Sequence, residues 1–229
     1  MKTMKIPLFD LDGTLIKSDH DFKLNRFSFA IKKVFKIDVD LGLLVTHGMI
    51  DSQILIELLA LYDIPKEKSE EKLQEMFFVM EEFLNQNEDK MFYKPLDGAF
   101  DLLKKLNELN IPSSVLTGNV ECFGWNKLKK TNLKQFIVTG VFGDMALIRS
   151  DLVPILLEKL QLECDEEIQK SNLVIVGDTP LDIKCAKDAG IYSVGVATGK
   201  YSKKELENCG ADLVVESLNE PKLLEYLLN

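Results

Sequence analysis

The sequence predicts an α/β protein, a doubly wound parallel sheet with an all-helical block inserted near its start. Three observations carry that expectation. Short apolar runs at the N-terminus and after Pro95 alternate with helix-length stretches, the pattern of repeated βα units. Between Lys17 and Lys94 apolar residues recur only at helical spacing, with no strand signal. Several apolar runs end in polar residues, where open α/β sheets place their ligands. The expected division is a core of residues 1–16 and 95–229 and a helical cap of residues 17–94.

In chain order, residues 6–9 read as a buried strand ending at Asp10. Phe22, Phe29, Ile31, Val34 and Phe35 trace a helical stripe, with Asp21 placed to cap it. Ile50, Ile54, Leu55, Leu58 and Leu59 trace a second, closed by Asp63-Ile64-Pro65. A third, from about Lys66 to Asn87, carries Leu73, Met76, Phe77, Met80, Phe83 and Leu84 opposite a solvated face of Glu and Lys. Pro95-Leu96-Asp97-Gly98 is turn chemistry. A helix from Phe100, a strand ending at Leu116, a helix ending near Lys130 and a short strand at Phe136-Ile137-Val138 follow. The stretch from Gly140 to Asp144 reads as a loop, and the next helix tolerates Pro154 in its first turn. Leu173-Val174-Ile175-Val176-Gly177 is a buried strand ending at Asp178. A helix to Ala189, a strand to Val196, a helix from about Ser202, a strand at Leu213-Val214-Val215 and a terminal helix complete the pattern.

With 46% hydrophobic residues, the 229-residue chain can bury a substantial core. A net charge of -9 and a pI near 4.9 argue against nucleic acid as a partner, since phosphate backbones reward basic surfaces. An acidic protein still binds anions where the site itself concentrates cations. Cys122, Cys164, Cys185 and Cys209 are scattered without a CxxC pair, which fits a reducing cytoplasm rather than zinc or disulfides. The basic start Met1-Lys2-Thr3-Met4-Lys5 meets the acidic stretch before any signal-length apolar run. No run reaches the about 18 apolar residues that a membrane span needs. The expectation is a cytoplasmic monomer or weak dimer without nucleic-acid or membrane partners.

Asp10 and Asp12, one residue apart after an apolar strand, would point the same way along an extended chain. Two such carboxylates repel and call for a cation or a shared proton; a hard divalent ion such as Mg²⁺ suits them. Asp10-Leu11-Asp12-Gly13-Thr14 matches the DxDGT motif of the haloacid dehalogenase (HAD) superfamily. The chain resembles its phosphoglycolate phosphatase and β-phosphoglucomutase-like members over essentially its whole length. Thr117-Gly118, after Val115-Leu116, stands where the second motif falls, and Gly177-Asp178-Thr179-Pro180-Leu181-Asp182 matches the fourth, GDxxxD. The third motif departs: the family's lysine is replaced by Arg149 in Leu147-Ile148-Arg149-Ser150.

The resemblance implies a Rossmann-like core with a helical cap after the first motif, acting as a phosphatase on a small phosphorylated metabolite. It implies Asp10 as nucleophile, Asp12 as general acid and base, and Mg²⁺ held by Asp10, Asp12 and Asp178, with Asp182 in support. Thr117, Gly118 and Arg149 would bind the phosphoryl group. Each residue has a plainer reading: Thr117 as a helix cap, Asp182 as an acid at a helix start, and Arg149 as an exposed helix-start arginine. In that last case Lys127, Lys129 or Lys130 would supply the cation. His47, in the segment Val45-Thr46-His47-Gly48-Met49-Ile50-Asp51, either touches substrate or makes a turn hydrogen bond. Arg26, Lys23 and His20 are further candidates for touching substrate, none distinguishable from surface charge. Asp12 argues against dehalogenation, because a departing halide needs no proton. Two alternatives stay open: a phosphomutase of the β-phosphoglucomutase type, and a phospho-accepting or ligand-binding module. A P-loop is excluded, since Thr198-Gly199-Lys200-Tyr201 lacks the earlier glycine and the following Ser/Thr.

Overall fold

In the computed structural model, which describes residues 4–18, 20–164 and 167–229 and the side chains among them outside 20–25, the chain alternates strands and helices. In order these are β1 (Ile6–Phe9), β2 (Ile16–Ser18), α1 (His20–Phe35), α2 (Asp51–Ala60), α3 (Lys66–Glu71), α4 (Leu73–Asn87) and β3 (Tyr93–Pro95). There follow α5 (Ala99–Glu108), β4 (Ser113–Leu116), α6 (Glu121–Lys130), β5 (Ile137–Val141), α7 (Leu152–Cys164) and β6 (Leu173–Gly177). The last elements are α8 (Pro180–Ala189), β7 (Tyr192–Val196), α9 (Lys203–Asn208), β8 (Leu213–Val215) and α10 (Pro221–Leu227). The expected Asp21 cap, Phe22, His20 and Lys23 have side chains outside the described set.

Six strands form one parallel sheet in the order β5-β4-β1-β6-β7-β8. β1, β4 and β6 are buried along their whole length, because helices cover both faces of the sheet. Alternation sends Leu8 and Ile175 into an apolar cluster with Leu156 and Ala186 on one face. Phe9 and Val176 join Leu103 and Leu223 on the other. The chain leaves β1 toward β4 and β5, then returns to β6 on the other side. The carboxyl ends of β1 and β6 therefore flank the switch point where such sheets bind ligands.

The helical block has its own apolar cluster around Phe27, Ile31, Leu55, Leu58, Met76 and Met80. Val120 and Phe123, from the turn after β4 and from α6, complete that cluster. No helix among the described residues is long and apolar enough to cross a membrane.

Three local features differ from expectation. β2 and β3 pair antiparallel, Ile16 with Pro95 and Ser18 with Tyr93, at the two crossings between block and sheet. Three-residue strands are too short for alternation to show in sequence. β5 runs through Gly140 and Val141, which read as loop; pairing with β4, with a register shift between Ser113 and Val115, holds them extended. The long third helix is two, because Lys72 (φ -98°, ψ 0°) interrupts it before the apolar stripe begins at Leu73.

Candidate active site

Asp10 leaves the end of β1 and is anchored by its N–H, which donates to the Val176 carbonyl at 3.0 Å. The chain then folds into a tight turn in which Leu15 and Ile16 N–H groups donate to the Leu11 carbonyl. Gly13 takes φ +86° there, and a Cβ on it would lie 2.3 Å from Asp178 Oδ2. Glycine is thus required twice over, by conformation and by the close approach of a carboxylate. Because β1 ends at Phe9, strand alternation does not extend to Asp12.

Asp178 follows β6 directly, and Asp182 stands in the first turn of α8. Asp182 Oδ2 accepts from the Thr179 N–H at 3.0 Å and from its hydroxyl at 2.7 Å, a capping box. Its other oxygen accepts from Arg149 Nη2 at 2.5 Å. Asp182 therefore caps its helix and faces the site at once.

Carboxylate oxygens of Asp10, Asp178 and Asp182 lie within 4.8 Å of one another, all three residues buried. Burial pushes the Asp10 carboxyl up to about 6; Arg149 opposes this, while Asp182 and Asp12 add to it. Burial, then Asp182 and Asp10, push Asp178 up to about 8. Three ionised carboxylates this close exceed the single charge of Arg149, and a hard divalent cation offsets the remainder, so the donor set fits such an ion. The gathered triad includes Asp182; the Asp12 carboxylate is not part of it.

Arg149 opens a short 3-10 turn ahead of α7 and is buried. Besides Asp182, its Nη2 lies 3.2 Å from Asp10 Oδ1, and its Nη1 donates to the Gly48 carbonyl at 3.0 Å. The guanidinium thus joins Asp10, α8 and the helical block. Thr117 is fully buried at the end of β4. Val120, not Thr117, is the N-cap residue of α6, and Thr117 Oγ1 accepts from the Asn119 amide at 2.9 Å. A Cβ on Gly118 would come within 2.2 Å of the Met49 carbonyl, so the segment carrying Met49 itself requires glycine there.

Asp10, Asp12, Thr117, Gly118, Arg149 and Asp178 line one cleft of ≈ 490 Å³, with His47 from the helical block beside them. Arg26, read as indistinguishable from surface charge, is instead buried in an ion pair with Asp51 at 2.6 Å.

The arrangement also contains residues to which the sequence assigned no such role. Asp12 Oδ2 accepts from Lys127 Nζ at 2.5 Å and from Asn119 Nδ2 at 2.8 Å. Ser18 donates its hydroxyl to Asp12 Oδ1. Lys127 falls four residues after Phe123, on the buried face of α6, and that spacing was a signal for it.

Residues 7–196 match the family model described as haloacid dehalogenase-like hydrolase. A phosphoglycolate phosphatase of Vibrio cholerae is 27% identical over 100% of this chain and 99% of its own length. A validoxylamine A 7'-phosphate phosphatase of Streptomyces hygroscopicus is 25% identical, covering 94% of this chain and 95% of that one. Among solved structures, a predicted phosphatase from Clostridium acetobutylicum superposes with a TM-score of 0.72 at 24% identity, over 97% of this chain and 99% of that one. That last likeness is one of fold.

Proposed function

Because the chain belongs to the haloacid dehalogenase-like hydrolases, we propose that it is a phosphatase that cleaves a small phosphomonoester through a covalent intermediate on Asp10. The observation that carries this reading is the setting of Asp10. It sits at the carboxyl end of the central strand, 3.2 Å from Arg149 and beside Asp178 and Asp182, at the wall of a cleft.

In this reading an Asp10 oxygen attacks phosphorus as the bond to the leaving oxygen breaks, giving an aspartyl-phosphate. Asp12 hands its proton to the departing alkoxide, then takes one from the water that hydrolyses the intermediate. Thr117, the Gly118 N–H and Arg149 receive the phosphoryl oxygens, in a cleft where fixed donors outperform water. Mg²⁺ held by Asp10, Asp178 and Asp182 would offset charge on those carboxylates and on the phosphoryl group. The phosphoester is the part of the substrate supported by the relatives, whose names give phosphoglycolate and validoxylamine A 7'-phosphate, two very different organic parts.

The test is phosphate release from an aryl phosphate and a panel of phosphorylated metabolites, with Mg²⁺ and with chelator. Release that stops with chelator is expected. Undiminished turnover in excess EDTA would sink the metal assignment, and isomerised sugar phosphate without free phosphate would make the protein a mutase.

A further inference from the structure

We propose that Lys127 and Asn119, which lie outside the four motifs, are positioning residues that aim the Asp12 carboxyl at the leaving oxygen. This rests on the reading of Asp12 as the leaving-group acid. Asp12 belongs to a turn, with no run of helix or strand to fix its rotamer, so its neighbours must hold it. Two donors converge on one oxygen: Lys127 Nζ at 2.5 Å and Asn119 Nδ2 at 2.8 Å from Oδ2. The two donors are also bonded to each other, Lys127 Nζ to Asn119 Oδ1 at 2.8 Å. Asn119 Oδ1 accepts further from Arg26 Nη2 at 3.2 Å, and Arg26 in turn grips Asp51, whose Oδ2 accepts from the Val120 N–H at 3.0 Å.

Lys127 is 1% exposed and is not among the residues lining the cleft, which separates it from a substrate-binding lysine. A buried ammonium is costly unless paired and hydrogen-bonded, and here carboxylate and amide oxygens meet it. Both donors also belong to the segment from Thr117 through α6. The acid and the Thr117–Gly118 part of the proposed phosphoryl site are therefore held by one stretch of chain, so a displacement of it moves both together. Sites held this way keep the sub-ångström alignment that proton transfer needs.

The experiment is pre-steady-state phosphorylation of Asp10 in the full chain, with p-nitrophenyl phosphate and with an alkyl phosphate. Nitrophenolate leaves without a proton, whereas an alkoxide does not. Lys127→Met should slow phosphorylation by the alkyl ester about 10- to 100-fold, the usual range for a lost supporting residue. It should leave the aryl burst far less affected. Lys127→Arg should restore part of the alkyl rate, keeping a charged donor on Asp12. Asn119→Ala removes one donor from Asp12 and one from Thr117 without leaving a charge unpaired, so both esters should slow and the alkyl ester more than the aryl one. It keeps the test decisive if Lys127→Met does not fold. Equal losses on both esters in a folded variant, or no loss on either, would overturn the positioning role while the phosphatase reading stands. A wild type that phosphorylates with neither ester would overturn the phosphatase reading itself, and this one with it.

Discussion

Arg149 shows how much one side chain can be asked to do. Its fork reaches Asp10, Asp182 and the Gly48 carbonyl together, which one lysine ammonium cannot match in geometry. Arg149→Ala should cut kcat by about 10² to 10³, as loss of one stabilising donor does elsewhere. It should also lower the unfolding midpoint, because Asp182 stays buried without its partner. Arg149→Lys should recover part of both. Near-normal turnover in Arg149→Ala at saturating Mg²⁺ would remove the residue from the site. A second outcome follows from the buried acids. Asp10 and Asp178 have folded-state values of about 6 and about 8, both above their ordinary 3.8. Folding therefore favours their protonated forms: their contribution is whole below about pH 3.8 and is lost as pH rises through those values. Metal-free protein should melt lower at pH 8 than at pH 5, and Mg²⁺ should raise the midpoint more at pH 8, where protons compete less for the carboxylates than at pH 5. A Mg²⁺ shift as large at pH 5 would contradict the site. At this scale Asp10, Thr117, Arg149 and Asp178 were legible because each ends or follows an apolar run. Lys127 was named only as a substitute cation beside Lys129 and Lys130, and its place on Asp12 was not legible, because a lysine in the last turn of a helix reads as favourable surface charge. Arg26 was missed likewise, its partner Asp51 lying a helix away in the chain.

Among the elements, the loops after β4 and β5 are built to receive the segment that opens α2. The Asp51 N–H donates to the Gly118 carbonyl at 2.7 Å, and the Ser52 hydroxyl to the Ala146 carbonyl at 2.8 Å. An alanine at 118 would meet a carbonyl oxygen at 2.2 Å and an adjacent Cα at 3.1 Å, both backbone, so neither yields by a rotamer change. Gly118→Ala should displace the segment carrying Met49 and Asp51, lowering kcat/KM by about 10²-fold, a common result of an ångström's misplacement. Far-UV circular dichroism should stay unchanged, since the shift lies between elements. Wild-type kinetics in Gly118→Ala would show that this seating does not matter for turnover. The sheet strands were readable in sequence because burial on both faces leaves near-continuous apolar runs in β1 and β6. The β2–β3 ribbon was not, since what defines it is partnership between residues almost eighty positions apart. Nothing in either three-residue stretch announces that pairing.

At the scale of the whole molecule, the inserted block is separate in chain order but not in packing. Its apolar cluster is completed by Val120 and Phe123, and the buried Arg26–Asp51 pair reaches Asn119 and the Val120 N–H across the same boundary. Phe123 is 1% exposed and carries the Arg26 guanidinium 4.5 Å from its ring centroid, so it holds apolar and ionic contacts together. A helical block that needs α6 to close its core should not unfold independently of the sheet. Trp125, the chain's one tryptophan, lies on α6 against Phe142, while far-UV circular dichroism reads all helices. Urea unfolding followed by tryptophan fluorescence and by dichroism should therefore give one coincident transition. Phe123→Ala should lower the unfolding free energy by about 3–5 kcal/mol, the usual cost of emptying a buried phenylalanine site. Both probes should shift together in that variant. Were block and sheet independent, Phe123→Ala would split the transition, the helical signal falling at lower urea than the fluorescence, and the shared core would be wrong.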